Sequence, residues 1–328
     1  MLEFWTTLNN LLRAGQKVFL ALVAEHTRHS PGTTGARLLV SEQGTTQGTI
    51  GGGIMELRLL ERAAEALRQG DFSPQLQPLT HSATGEGEKS GMICAGSQTN
   101  LYYLCSPDGD AEAVARAHGI VDRDLPGLLT ITPEGLRAES GEHDAGRSPV
   151  ALSQGPNGWT YSEQLLNVRR IAIIGGGHCC LALSRIMHQL GYLVTVYETR
   201  EEVQQLRENS SARSIHALDD YRHAGPMIPY PELTHVVIMT TDMHSDVRAL
   251  AGVLSRPFPF IGVMGSKAKL AAIFKEAEGG KIAPEAHPNL HAPVGLSIES
   301  HTPTEIAVSV AAQIIDLDIT PLHRPISG

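Results

Sequence analysis

Two glycine-rich turns have the residue types and spacing that could hold a ligand. One is Gly48-Thr49-Ile50-Gly51-Gly52-Gly53, which runs into a helical pattern with Glu56 three residues inside it. The other is Gly175-Gly176-Gly177-His178-Cys179-Cys180, which follows the apolar run 171–174 and opens a second helical pattern. A glycine turn at a helix start leaves several N–H groups free and lets a ligand approach the main chain. The helix dipole adds positive potential there. Gly51, Gly52 and Gly53, and likewise Gly175 and Gly177, are therefore candidate phosphate contacts. Tight turns with packing roles alone are the alternative. Two such cradles without a legible catalytic constellation fit a protein that holds a phosphorylated cofactor.

The second turn is an imperfect dinucleotide fingerprint. That pattern is G-x-G-x-x-G after a strand, with an acid about 20 residues on. Gly175 and Gly177 fill the first two glycine positions, and Cys180 stands at the third. Glu198 closes the next strand at the offset that would reach a ribose hydroxyl. NAD(P), another phosphorylated ligand and an empty Rossmann fold all stay open. His178 could contact a ligand or lie at the surface of the helix start. Asp242, His244 and Asp246 have superficial metal spacing, with helix capping by Asp242 or Ser245 as the plainer reading.

Cys94 lies in Ser90-Gly91-Met92-Ile93-Cys94-Ala95-Gly96. Flanking glycines would leave its sulfur reachable as a nucleophile, a persulfide carrier or a soft metal ligand, molybdenum included. A small buried hydrophobe is the bland alternative. Cys105 and Cys180 read as structural, and Cys179 is undecided. No Ser-His-Asp or Cys-His arrangement is legible.

The elements that must position these residues fall into two textures. Residues 1–165 mix helices and short strands, with strand patterns near 18–25, 36–40, 45–50, 75–80 and 99–104 and a helix over 54–67 that stops at Gly70. Residues 105–165 look irregular, with a linker or peripheral hairpin over 139–158. Residues 166–328 alternate strand and helix, which predicts a doubly wound parallel sheet. The fold expected is thus α/β: a mixed N-terminal domain and a Rossmann-like C-terminal domain.

The chain of 328 residues has a formal net charge of -9 and 41% hydrophobic residues. That balance offers no electrostatic footprint for nucleic acid or an anionic membrane. No apolar run approaches the roughly 20 residues of a spanning helix. The N-terminus, with Glu3, does not read as a signal peptide, so a cytoplasmic protein with reduced thiols is expected.

Together these segments resemble the XdhC/CoxI family of xanthine dehydrogenase accessory proteins. The likeness is borne by Ser30–Val40, Gly48–Glu56, Gly91–Gly96, Ile173–His178, Val236–Asp242, Phe260–Lys267, Leu290–Leu296 and Thr302–Ser309. It implies a non-enzymatic maturation factor: a chaperone that binds the molybdopterin cofactor, protects it during sulfuration and inserts it into an apo-molybdenum hydroxylase. It further implies a homodimer and a sulfur donor such as a cysteine desulfurase. Gly51, Gly52, Gly53 and Glu56 match the family's glycine–glutamate motif, Cys94 its Cys-Gly-Gly cysteine, and His178 its Gly-x-Gly-His. Ala95 departs from the first glycine of the cysteine motif. Glu56 would either cap a free N–H or orient the pterin amide. An NAD(P)-dependent oxidoreductase built on Glu198 and the second turn, and a structural adaptor, are the competing readings.

Overall fold

The computed structural model describes residues 1–80, 96–142, 148–156, 158–276 and 287–317. The chain forms two compact units, Met1–Asn167 and Val168–Asp318.

The first unit opens with helix α1 (Leu2–Arg13), whose Phe4, Trp5, Leu8 and Leu12 recur at helical spacing and are buried. There follow β1 (Val18–His26), β2 (Arg37–Ser41), β3 (Thr46–Thr49), α2 (Gly53–Gln69), β4 (Gln75–Thr80) and β5 (Ser97–Cys105). The five strands make an antiparallel sheet in the order β3-β2-β1-β5-β4. Strand β1 reads as a continuous apolar run because both of its faces are covered. Val18, Leu20 and Leu22 join the core with α1, while Phe19, Ala21 and Val23 join the core with α2. Gly70 stops α2 in the left-handed conformation, at φ 70°.

Residues 105–165 are more regular than expected. They form α3 (Pro107–Asp122) and four strands, β6 (Gly127–Thr132), β7 (Gly135–Ser140), β8 (Val150–Gly155) and β9 (Gly158–Gln164). The strands pair antiparallel in the order β7-β6-β9-β8. The hairpin expected over 139–158 falls on the end of β7 and on β8 with the start of β9, and 143–147 lies outside the described residues. The helix is hard to read in the sequence because two glycines interrupt it and only Val114, Ile120 and Val121 mark its buried face with large apolar side chains. Its start signal is nonetheless orthodox: Ser106 accepts from the Gly109 amide, and Pro107 occupies the first turn.

The second unit runs β10 (Arg170–Ile174), α4 (His178–Gln189), β11 (Leu193–Glu198), α5 (Gln204–Arg207), β12 (Ser214–Ala217), α6 (Ala224–Met227), β13 (Thr234–Ile238), α7 (Met243–Val253), β14 (Phe260–Val263), α8 (Lys267–Glu276), β15 (Leu290–His291) and α9 (Pro303–Leu317). All strand pairings are parallel, in the order β12-β11-β10-β13-β14-β15. Counted within the unit this is 3-2-1-4-5-6, the doubly wound Rossmann order. Buried side chains of α4 and α9 cover one face and those of α7 and α8 the other. The chain reverses its winding beside β10, so the ends of β10 and β13 flank the crevice where such sheets bind ligands. Among the described residues no helix is long and apolar enough to cross a membrane.

Candidate functional site

In the first glycine turn three consecutive residues take positive φ: Gly51 at 125°, Gly52 at 76° and Gly53 at 69°. The reasons differ. A Cβ on Gly51 would lie 2.7 Å from the Gly32 nitrogen and 2.8 Å from the Pro31 carbonyl carbon, so the turn presses directly on the loop before β2. Among the described residues a Cβ on Gly52 would meet nothing within 4 Å, which leaves an open main-chain face.

Glu56 reaches back from α2 over this turn. Its Oε1 accepts from the Ile50 amide at 2.8 Å, the Gly52 amide at 2.9 Å and the Thr49 hydroxyl. The Gly51 amide donates to Thr49 Oγ1 at 3.1 Å. Burial alone would raise the Glu56 carboxyl, but these donors outweigh it and hold it below the usual range. Glu56 therefore caps the turn, and the Ile50 and Gly52 amides already carry an anion. All three of these bonds fall on Oε1, and Oε2 takes none of them.

Beneath the turn lies a residue that the sequence reading missed. Gln98, 2% exposed, accepts through Oε1 from the Ser30 hydroxyl at 2.9 Å and the Gly32 amide at 3.1 Å. Its Nε2 donates to the Ile50 carbonyl at 3.1 Å and to Asn100 Oδ1 at 2.8 Å. One side-chain amide thus locks the 30–32 loop, the residue before the glycines and the inner strand β5. The only hint in the sequence is a glutamine and an asparagine at alternate positions of the polar stretch that opens β5. His26 sits opposite Gln98 in the sheet, and its Nδ1 accepts from the Thr34 amide at 3.1 Å. Burial lowers the affinity of this imidazole for a proton. Gly96 completes the wall: a Cβ there would lie 2.7 Å from the Ser30 nitrogen. Cys94, the candidate thiol and metal ligand, lies outside the described residues.

In the second unit the turn after β10 is drawn onto the neighbouring strands. The Gly175 amide donates to the Tyr197 carbonyl at 2.8 Å, and a Cβ on Gly175 would lie 2.5 Å from the Met239 oxygen. Glu198, 1% exposed, turns its carboxylate onto the turn itself. Oε2 accepts from the Gly176 amide at 2.6 Å and from Arg200 Nη2 at 2.7 Å. Oε1 accepts from the Thr199 amide at 2.8 Å, the Arg200 amide at 3.0 Å, Arg200 Nε at 3.1 Å and the Tyr221 hydroxyl. Burial works against the charge, yet the Arg200 and Tyr221 bonds prevail and hold the carboxyl at about 2. Tyr221 rises to about 12 through burial and its bond to Glu198. His178 is exposed at the start of α4, with Nε2 3.3 Å from Gln205 Nε2. Among the described residues a Cβ on Gly177 would meet nothing within 4 Å.

The acidic and histidine residues after β13 separate. Asp242 caps α7 by accepting from the Ser245 amide at 2.9 Å. His244 pairs with Glu276, and buried Asp246 pairs with Lys269 and accepts from Thr240. Among the described residues no group of three potential metal ligands gathers. Cys180 packs in the core beside α9 at 1% exposure, where its smallness substitutes for the third glycine. Cys105 is buried and Cys179 half-buried.

These features define a two-unit α/β protein, with a clamped glycine turn in its antiparallel half and a Rossmann sheet in the other. Residues 11–77 match the XdhC and CoxI family, and residues 171–314 match the XdhC Rossmann domain. The chain belongs to the XdhC/CoxI family. It is 24% identical over 291 residues to the uncharacterized protein YqeB of Escherichia coli, which covers 88% of this chain and 41% of that relative. The chain thus spans about two fifths of that relative's length. The fold is shared with a solved structure described as a xanthine dehydrogenase from Bacillus halodurans, at a TM-score of 0.71 and 21% identity over 95% of both chains.

Proposed function

We propose that this protein is a xanthine dehydrogenase accessory factor. It binds the molybdenum cofactor, shields it while the metal is sulfurated, and passes it to an apo-molybdenum hydroxylase. One observation supports the reading above the others. Inside the family-matching region, the Gly51–Gly53 turn presents open main chain at Gly52 beside a carboxylate whose orientation is fixed by three donors. The fit changes one expected detail. The cofactor's phosphate is not seated on the Ile50 and Gly52 amides, because Glu56 holds them. Glu56 instead keeps Oε2 to accept from the N–H edge of the pterin, and the bare face of Gly52 admits the ring close to the backbone. Cys94 is the thiolate for the metal end, and Gly96, two residues further along, abuts the loop that also touches Gly51. When bound, the cofactor supplies a molybdenum centre that takes up sulfur; this chain's residues bind, orient and later release it. A sulfur donor such as a desulfurase, and pairing of two copies, belong to the same reading.

The test is co-expression in a host that makes molybdopterin, followed by mass spectrometry of the small molecule that co-purifies. Molybdopterin is expected with the wild type and a much reduced yield with Glu56→Ala or Cys94→Ser. Preparations with no pterin, from a host shown to make it, would refute the proposal.

A further inference from the structure

A Rossmann sheet implies a dinucleotide, and the residues of this one do not fit it. In such folds the acid at the end of the second strand accepts from the ribose hydroxyls, and the glycine-turn amides face the pyrophosphate. Here the Glu198 carboxylate and the Gly175 and Gly176 amides are consumed within the chain. Glu198 receives the Gly176 amide, two backbone amides, two guanidinium nitrogens of Arg200 and the Tyr221 hydroxyl. A carboxylate offers about four lone-pair sites, so none is left for a ribose. A phosphate brought to the Gly176 amide would displace this carboxylate or lie against its negative charge. The turn is covered at its middle as well: a Cβ on Gly176 would lie 2.7 Å from Leu206 Cδ2, so the α5 segment packs onto that residue. Gln205 of the same segment reaches His178 at the start of α4.

We infer that the Rossmann crevice of this protein is self-filled: Glu198 takes the anion's place on the glycine turn, Arg200 and Tyr221 fix it there, Leu206 packs over Gly176, and the unit takes no adenine dinucleotide. The sheet keeps the architecture of a nucleotide-binding fold and uses its site residues as struts. This stands apart from the cofactor reading, which concerns the other unit.

The test is titration of the full chain with NAD+, NADH, NADP+ and NADPH, each up to about 1 mM, the upper end of ordinary enzyme–ligand constants. In parallel, 13C-carboxyl NMR of glutamate-labelled protein follows Glu198, assigned with Glu198→Gln. The expected result is no saturable binding of any of the four and a Glu198 resonance indifferent to them. Saturable binding of any one, with or without movement of that resonance, overturns the inference.

Discussion

The side-chain nitrogen of Gln98 lies 3.1 Å from the carbonyl oxygen of Ile50, and its side-chain oxygen lies 3.1 Å from the Gly32 amide. Two loops far apart in sequence are held at a fixed separation by one buried side chain, and Gly51 presses into the gap between them. The rigidity of the glycine turn therefore comes from outside the turn.

Truncating that side chain leaves the Gly32 amide and the Ile50 carbonyl buried without their partner. Each such group costs about 1–3 kcal/mol, so Gln98→Ala is expected to lose on the order of 3 kcal/mol of unfolding free energy. Urea denaturation checks this, and a loss below about 1 kcal/mol would show that the amide is not the tie described.

Gly51 and Gly52 are expected to part company under the same substitution. At Gly52 (φ 76°, ψ −168°) an added methyl meets no neighbour among the described residues and only the cost of a backbone region that essentially glycine alone adopts, about 1–3 kcal/mol. At Gly51 it also strikes the Pro31–Gly32 backbone, which cannot yield as a flexible side chain can. Gly51→Ala should be markedly less stable than Gly52→Ala in thermal unfolding. Gly52→Ala, still folded, should lose co-purifying pterin because the methyl fills the open face. Equal stabilities would contradict the contact.

Much of this fold was written in local patterns. Strand β1 announced itself by a continuous apolar run, α2 by its spacing and Gly70, and the parallel sheet by alternating strands and helices. The residues of the glycine turns were equally legible, because a bare main chain at a helix start leaves few alternatives. What the pattern could not give was the occupant of each turn. Glu56 is close enough in sequence for its capping role to be foreseen as one of two options. The Glu198–Tyr221 contact joins a strand end to a residue beyond the next strand, and no periodicity encodes it. Gln98 was hidden for a different reason: it stands in the polar stretch that opens β5, and nothing local says which of those side chains is buried and tied to distant loops. Helix α3 was missed because Gly109 and Gly119 interrupt it and only Val114, Ile120 and Val121 mark its buried face with large apolar side chains.

Acid sensitivity should follow Glu198. An unfolded glutamate titrates near 4.3, whereas this carboxyl is held at about 2. Below the unfolded value the unfolded chain binds a proton that the folded chain refuses, so stability present above about pH 5 is lost as pH falls through the folded value. The full difference is on the order of 3 kcal/mol. Glu198→Gln removes this titration. The wild-type advantage over the variant should therefore shrink as pH drops from about 5 to 3 in parallel urea series. A constant gap would sink the assignment.

Thiol chemistry gives a last discrimination, because the described cysteines are poor thiolates. Burial, aided by the charge of Asp110, pushes Cys105 well up, and burial drives Cys180 to about 12. Burial also raises half-buried Cys179. The thiolate is the reactive form, so iodoacetamide near pH 7.5 should spare Cys105 and Cys180 in the folded protein and modify Cys179 slowly. All three should react once the chain is denatured. Peptide mapping by mass spectrometry reads each site separately. If Cys94 is the sulfur that meets the metal, it should be alkylated first, and bound pterin should slow it without changing Cys179. Rapid modification of Cys179 with an inert Cys94 would move the sulfur chemistry to the Rossmann unit and remove Cys94 from the proposed site.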